Sequence, residues 1–169
     1  MFLKIVLVLM NNYKLNNKWT LWYHSINNNE WNNSSYEKII DICDLYDYYI
    51  VVENLKSNHL QNGMFFMMKD DIFPTWEYPD NREGCSISFK VPASVLKENW
   101  DILVKNIITE NIFKNNDIDK LNGISISPKK EFNIIKLWLK NDDKDFDKYI
   151  KEYSPYLVKS RSLYRKNIS

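Results

Sequence analysis

The sequence predicts an α+β domain in which one antiparallel sheet carries about three helices on one face. Three observations lead to this class. The chain has 169 residues, a usual length for one domain with its own core. Its apolar segments include short runs with a two-residue period and longer runs with a helical period. The links between the short runs are too irregular for repeated strand–helix–strand units, which disfavours a parallel sheet.

The first half of the chain is predicted to supply two strands and one helix. Residues 18–26 (KWTLWYHSI) alternate and are rich in aromatic and β-branched types, as is typical of a strand. An Asn-rich loop follows at 27–35, and residues 36–50 then carry apolar side chains at helical spacing. Residues 64–68 (MFFMM) predict a short apolar strand, and the Pro-containing stretch 70–84 predicts a loop.

The second half is predicted to alternate strands with two helices. The clearest helix covers 92–110, with Ser94 as its N-cap. Its apolar face consists of Leu96, Trp100, Leu103 and Ile107. A further helix is predicted over 142–153, because acids open it and apolar residues repeat at helical spacing. Strands are predicted at residues 85–91, 123–127, 133–139 and, after Pro155, 156–162.

The chain is expected to form an N-terminal apolar extension, residues 1–12, followed by one domain, residues 13–169. The run Met1–Met10 is apolar but too short to span a membrane, and it lacks the small residues of a signal-peptidase site. We therefore expect an extra strand or a hydrophobic tail rather than a membrane anchor. The sequence shows neither an internal repeat nor a linker between domains.

Composition excludes several functional classes. The net charge of +1 gives no global field toward nucleic acid or membranes, so recognition of charge must be local. Only three glycines are present, and neither a GxGxxG nor a GxxxxGK[ST] loop occurs. Two cysteines and two histidines do not supply a disulfide framework or a metal cluster. We expect no cofactor, no metal and a reducing, cytoplasmic environment.

Two tryptophans lie in polar loops rather than on an apolar face. Trp31 lies between Asn-rich segments, and Trp76 follows FPT and precedes Glu77. A single loop tryptophan is most simply explained by an indole that folds back onto the core. Two such indoles beside a carboxylate instead suit the binding of a flat base between them. Stacking contributes about 1–3 kcal/mol per base. A carboxylate accepts the N1–H and N2–H of guanine, and methylation at N7 adds a positive charge, so the set suits 7-methylguanosine, the mRNA 5′ cap.

The chain resembles the cap-binding translation initiation factor 4E family, as a divergent member. The resemblance runs over about residues 13–165, and its most specific part is P-x-W-E after an apolar strand together with W-x-L-W upstream. The matching stretches are KWTLWYH (18–24), EW (30–31), FPTWE (73–77), ENWDILVKNI (98–107) and GISIS…IIKLW (123–138). The family fold is a curved antiparallel sheet with three helices on its convex face and the cap on its concave face.

The resemblance implies a role for each residue of the base site. Trp31 and Trp76 correspond to the two stacking plates, and Glu77 corresponds to the acceptor for the guanine edge. Trp138, near the end of its strand, corresponds to the contact with the N7-methyl group. The family's structural tryptophans correspond to Trp19, Trp22 and Trp100, which we expect in the core.

The resemblance also implies cations for the triphosphate bridge of the cap. Lys129 stands where the family has an Arg, so the charge is kept and the bidentate fork is lost. The next family Lys falls on Ile134, and Lys136, on the same strand face as Trp138, is the expected substitute. The family Arg that follows the tryptophan loop appears as Ser86. Lys159 and Arg161 fall near the family's C-terminal phosphate loop and complete the expected set.

The first helix departs from the family at its partner surface. The family holds a helical motif of the scaffold subunit, and of translational repressors, against a Trp on this helix. Here the aligned position is Asp47 or Tyr46. An apolar helix docked on Asp47 would bury a charge without a partner, which costs several kcal/mol. We therefore expect altered or absent binding of standard scaffold and repressor peptides.

Three functions remain open from the sequence. The first is a cap-binding module that takes part in translation initiation, or instead represses translation or acts as a decoy. The second is a protein-interaction domain that kept the fold and lost the cap. The third is an enzyme using acids such as Asp70, Asp71 and Glu77, but no nucleophile–base set accompanies them. We therefore expect no catalytic residues and capped mRNA as the partner.

Overall fold

The computed structural model describes residues 13–168. Within this range, seven strands and four α-helices follow one another. The strands are β1 (Lys14–Ser25), β2 (Tyr36–Asp44), β3 (Gly63–Lys69), β4 (Cys85–Val91), β5 (Leu121–Pro128), β6 (Asn133–Leu139) and β7 (Ser162–Lys166). The helices are α1 (Leu45–Asn54), α2 (Ser57–Asn62), the single turn α3 (Pro79–Arg82) and α4 (Leu96–Ile108).

The seven strands form one antiparallel sheet in the order β2-β1-β3-β5-β6-β4-β7. The register shifts in the β1–β2 pair and again between Leu121 and Gly123 in the β5–β6 pair. Such irregularities bend strands, and the sheet is curved. The expected α+β class with a curved antiparallel sheet is confirmed.

Side chains on the two faces of the sheet form two separate apolar clusters. On β3, Phe65 and Met67 point into the large core beneath the helices, whereas Phe66 points to the opposite, concave face. The same alternation on β6 places Leu137 in the large core and Trp138 in the concave cluster. Because strand side chains alternate, one strand supplies the core with one set of residues and the concave face with the other.

Helix α4 confirms the clearest prediction from the sequence. Leu96, Trp100, Leu103 and Ile107 are all at most 1% exposed and pack on the sheet. The predicted Ser94 cap is wrong, because Ser94 lies in a 3-10 turn (Ala93–Val95) and Val95 precedes the helix without a side-chain cap. Helices α1 and α2 bury Val51 and Leu60 in the same core, and Leu55, directly after α1, joins them.

The three expected structural tryptophans lie at two depths. Trp19 and Trp100 are each 1% exposed in the large core, as predicted. Trp22 is half-buried on the concave side, where its ring meets Phe73 edge-on at 5.2 Å.

The predicted helix 36–50 is wrong in its first half. Residues 36–44 form strand β2, which pairs with β1, and the helix begins only at Leu45. The apolar positions Ile39 and Ile42 are three apart, which fits a helix, but Ile39 is 48% exposed and Ile42 is fully buried. Cross-strand pairing with β1, which the local pattern does not contain, decides the conformation.

The predicted helix 142–153 is reduced to a 3-10 turn, Phe146–Lys148. Phe146, Tyr149 and Ile150 are nevertheless buried. The backbone is instead held by isolated bridges from Phe113 to Ile150 and from Tyr153 to Leu157. The final strand is Ser162–Lys166 rather than 156–162, because a second 3-10 turn intervenes at Lys159–Arg161.

The N-terminal extension, residues 1–12, lies outside the described residues. Over residues 13–168, we find no helix whose length and apolar character would let it cross a membrane.

Candidate functional site

The concave face carries a cavity of about 230 Å³, which we call the slot. Its wall residues come from the loops before β2 and after β3 and from the faces of β2, β3, β5 and β6. They are Trp31, Tyr36, Met64, Phe66, Pro74, Thr75, Trp76, Glu77, Ser125, Ile126, Ser127, Ile134, Lys136 and Trp138. The slot therefore brings together all four residues predicted for the base site and one of the four predicted cations.

Trp31 lies in the loop between β1 and β2 and keeps 58% of its surface exposed. Its indole stacks on the imidazole of His24, with ring centroids 4.3 Å apart and 9° between the planes. His24 itself is fully buried, and its Nε2 is 3.0 Å from the carbonyl oxygen of Glu30. The loop indole is thus held by a buried residue of β1.

Trp76 lies in the loop after β3 and is 50% exposed. The loop is fixed by Asn81, whose side-chain amide donates to the carbonyl oxygens of Phe73 at 3.0 Å and Thr75 at 2.8 Å. Asn81 is 1% exposed, and its Oδ1 accepts from the side-chain amide of Asn122 at 3.0 Å. Sequence reasoning missed this pair, because single asparagines in the short turn α3 and in β5 carry no pattern.

Glu77 points a carboxylate into the slot without a partner of its own. Within residues 13–168 it forms no side-chain hydrogen bond and no ion pair. The pKa of the Tyr36 phenol is raised to about 12, mainly by burial and in second place by the negative charge of Glu77. The carboxylate is therefore an acceptor available to a ligand that offers N–H donors.

Trp138 forms part of the wall of the slot and is 6% exposed. Its indole N–H donates to the Ser125 hydroxyl at 2.9 Å, and its ring meets Phe66 in an edge-on contact at 6.4 Å. This hydrogen bond is buried and fixes the orientation of the indole in the wall of the slot. Ser125 was not identified from the sequence, because its role depends on the pairing of β5 with β6.

Lys136 is the cation of the slot itself. Burial, followed by the charges of Arg165 and Lys129, lowers the pKa of its ammonium group. Its Nζ also lies 5.4 Å from the Trp138 ring centroid. A cation that is both desolvated and close to two other cations is a typical feature of an anion-binding site.

Arg165 is a cation that sequence reasoning missed. Trp138 pairs with Ser86, and Ser86 pairs with Arg165, so the three residues form one row across β6, β4 and β7 on the concave face. Arg165 makes no ion pair with a carboxylate in the described part of the chain. The sequence predicts the last strand at 156–162, whereas β7 covers Ser162–Lys166, so the predicted strand did not include Arg165.

The structure does not bring Lys159 and Arg161 to the slot. The Lys159 ammonium donates to Asp147 Oδ1 at 2.7 Å and lies over the Phe146 ring. Arg161 donates to the carbonyl oxygen of Pro155 and stacks on Tyr156. Both side chains are already engaged within the C-terminal segment, so we do not retain the phosphate role expected for them.

Lys129 stands at the end of the β5–β6 hairpin, where its backbone N–H donates to the Phe132 carbonyl oxygen. It is exposed, and its charge reaches Lys136. Across residues 13–168 no group of three or more His, Cys, Asp or Glu side chains converges as a metal site would require.

Sequence comparisons identify relatives over most of the chain. The family model described as eukaryotic initiation factor 4E matches residues 14–161. Eukaryotic translation initiation factor 4E of Saccharomyces cerevisiae is 26% identical over 140 residues, which cover 79% of this chain and 64% of the relative. Its counterpart in Dictyostelium discoideum is 30% identical over 135 residues, covering 76% and 52%. The chain spans between about half and two thirds of the length of these relatives.

Comparison of solved structures gives the same fold. A complex of Ascaris suum eIF4E-3 with m7G cap aligns with a TM-score of 0.70 and 20% identity, covering 79% of this chain and 76% of that chain. A complex of schistosome eIF4E with m7GpppG and 4E-BP also has a TM-score of 0.70 and 20% identity, covering 79% and 75%. At this identity the likeness demonstrates a common fold.

The buried Trp138–Ser125 bond leads to a stability prediction. Ser125→Ala leaves the indole N–H without an acceptor and should lower the free energy of unfolding by about 1–3 kcal/mol, measured by urea denaturation. Ser127 is a half-buried serine of the slot, two residues after Ser125 on β5. Ser127→Ala is therefore the matched control and should change the free energy of unfolding by less than about 0.5 kcal/mol. Equal effects of the two substitutions would contradict a specific role for the bond.

Proposed function

Because the chain belongs to the eukaryotic initiation factor 4E family, we propose that residues 13–169 form a cap-binding domain. In this proposal the slot holds the 7-methylguanosine cap of mRNA, and the protein takes part in translation initiation in the cytoplasm. It binds the cap without turning it over. The proposal rests on one observation above all: two half-exposed indoles line the same slot as a carboxylate that has no partner within residues 13–168.

The two indoles provide the stacking surfaces of the proposed site. Trp31 and Trp76 are large aromatic side chains that remain 58% and 50% exposed beside an apolar cavity. A base stacked on them contributes about 1–3 kcal/mol per contact. A positive charge on the base adds about 0.5–2 kcal/mol through the ring quadrupoles. This addition favours a purine methylated at N7 over its neutral counterpart.

Glu77 provides the selection for guanine in this proposal. Its carboxylate accepts two parallel N–H donors, which guanine presents at N1 and N2 and adenine does not. Each charge-assisted hydrogen bond contributes about 1.5–3 kcal/mol. Trp138, held by Ser125, is the proposed contact for the N7-methyl group.

The phosphates of the cap are assigned to Lys136, Lys129 and Arg165. Arg165 replaces Lys159 and Arg161 in this role, since it lies in the row of Trp138 and lacks a carboxylate partner in residues 13–168. An anion between these cations relieves their mutual repulsion, which is second to burial among the causes that lower the pKa of Lys136. Contacts between cations and phosphates weaken as the salt concentration rises, because the counterions released on binding then contribute less free energy.

The exposed surface at the start of α1, around Asp47, favours protein partners other than the usual scaffold and repressor peptides. Two solved relatives in complex with binding proteins, one with 4E-BP and one with Mextli, share the fold. In this chain Asp47 belongs to the start of α1: its Oδ2 accepts from the Cys43 N–H, and its own N–H donates to Asp44, both at 2.9 Å. Tyr46 and Tyr49 beside it are 73% and 62% exposed. A cap-bound protein that does not recruit the usual scaffold would act as a repressor or decoy.

Binding of 7-methyl-GTP and GTP, followed by tryptophan fluorescence, tests the base site. The wild type should prefer 7-methyl-GTP by about tenfold or more, since a cationic base gains on both indoles. Trp31→Ala, Trp76→Ala and Glu77→Ala should each abolish the preference. Tyr13→Ala removes a half-exposed aromatic side chain that directly precedes β1, and it should leave the preference for 7-methyl-GTP unchanged. Equal affinity of the wild type for both nucleotides would refute cap recognition, and turnover of either would identify an enzyme.

The phosphate assignment predicts which cations control the salt dependence. Lys136→Gln and Arg165→Gln should each weaken 7-methyl-GTP about tenfold and flatten the plot of log affinity against log salt. Lys159→Gln and Arg161→Gln are matched charge controls and should stay within twofold. If the second pair weakens binding as much as the first, the C-terminal segment closes over the slot and the assignment is wrong.

The pKa of Lys136 adds a pH readout to the same measurement. Because burial lowers this pKa, the ammonium loses its proton at a lower pH than an ordinary lysine does. The ratio of wild-type affinity to Lys136→Arg affinity should therefore fall between pH 7 and pH 10. Titration of the base is common to both proteins and cancels in the ratio.

A peptide titration tests the partner surface. The wild type should bind the helical peptide of a 4E-BP more weakly than micromolar, because docking would desolvate the Asp47 charge. Asp47→Trp should raise the affinity at least tenfold. Asp47→Asn keeps an acceptor for the Cys43 N–H and removes the charge, and it should give a smaller gain. Submicromolar binding by the wild type would contradict the expectation.

A further inference from the structure

His24 is a buried, titratable side chain that the proposed function does not use. It is 0% exposed in β1, with Tyr36 and Met64 as its partners on the neighbouring strands. Its Nδ1 is buried and has no hydrogen-bond partner among the residues that the structure describes. Its ring lies flat against Trp31 at a centroid distance of 4.3 Å. A buried polar ring directly behind an exposed indole calls for an explanation.

The hydrogen bond at Nε2 defines the form of the imidazole. The neighbouring atom is the Glu30 carbonyl oxygen, 3.0 Å away, which only accepts. The Nε2 atom must therefore carry the hydrogen and donate it, so a neutral ring has its lone pair on Nδ1. The contact with Glu30 therefore fixes the orientation of the ring as well as the atom that donates.

The loop that carries Trp31 has few other links to the sheet. The Asn28 N–H donates to Ser25, the Glu30 N–H donates to the Asn28 side chain, and the Asn32 amide donates to Glu30. The first of these bonds ends on the last residue of β1, and the other two stay within the loop. Among residues 13–168, His24 holds both the Glu30 backbone and the Trp31 ring. Tyr36 adds a more distant edge contact to Trp31 at 6.4 Å.

We propose that His24 is a positioning residue, whose ring backs one face of Trp31 and holds the indole as a one-sided stacking plate. With planes 9° apart and centroids 4.3 Å apart, nothing fits between the two rings. A base can therefore stack only on the opposite face of Trp31.

The imidazole ring, rather than its hydrogen bond, carries this role. Glu30 is exposed, so water can replace the donor to its carbonyl oxygen. No solvent molecule replaces a flat ring packed against an indole. His24→Phe therefore keeps the positioning function, His24→Gln loses it while retaining a donor, and His24→Leu loses both the ring and the donor.

The first test examines the unliganded protein, so it does not depend on cap binding. With 5-fluorotryptophan incorporated, the ¹⁹F resonance of Trp31 is assigned by its disappearance in Trp31→Phe. It should be close to the wild-type position in His24→Phe and should shift toward the solvent-exposed position in His24→Leu and His24→Gln. An unchanged Trp31 resonance in His24→Leu would overturn the positioning role, whether or not the protein binds caps.

The second test rests on the proposed function and measures 7-methyl-GTP affinity. His24→Phe should stay within about threefold of the wild type, and His24→Leu and His24→Gln should lose about tenfold. Tyr23→Leu removes an aromatic ring from the neighbouring position on the opposite, helix-covered face, so it controls for stability and should leave affinity unchanged. Equal losses in His24→Phe and His24→Leu would overturn the proposal. If the wild type binds no cap, the proposed function fails, and the ¹⁹F result still decides the role of His24.

Discussion

The proposed site depends on keeping two large indoles exposed, which is unfavourable unless other residues hold them. An aromatic side chain on a free loop would fold onto the nearest apolar surface. Trp31 is held by the ring of His24, and the loop of Trp76 is held by the buried amide of Asn81. Both anchoring side chains are themselves buried. The slot is therefore preorganised, and a ligand need not meet the entropic cost of ordering the two plates.

The sheet supports this arrangement because its two faces do different work. Leu137 and Ile135 on β6 complete the core beneath the helices, while Lys136 and Trp138 on the same strand form the slot. A single strand thus links stability to recognition, and a one-residue slip in register would exchange the two sets. Aromatic contacts between Tyr36, Phe66 and Phe73 extend the apolar cluster under the slot.

Charge is distributed unevenly over a molecule that is almost neutral overall. Many lysines are paired, for example Lys18 with Asp71, Lys97 with Asp101 and Lys159 with Asp147. Such exposed pairs add little stability, but they remove cations from competition for an anionic ligand. Lys136 and Arg165, by contrast, face the same region without carboxylate partners in residues 13–168. On the opposite side Asp47 places a charge where an apolar partner helix would need a neutral surface, so the two faces differ in what they can recruit.

The sequence by itself determined the fold class and the clearest helix, and it pointed to the four residues of the proposed base site, which line one slot in the structure. Alternation in β1 and the helical stripe of α4 are strong local signals, and loop tryptophans beside a glutamate are chemically unusual. Only the tertiary structure decided that residues 36–44 form a strand, that Arg165 rather than Lys159 and Arg161 lies beside the slot, and that His24 backs Trp31. Each of these depends on strand pairing or on contacts between segments distant in sequence. Local patterns do not encode such contacts, because the free energy that selects them comes from the partner strand or ring and not from the segment itself.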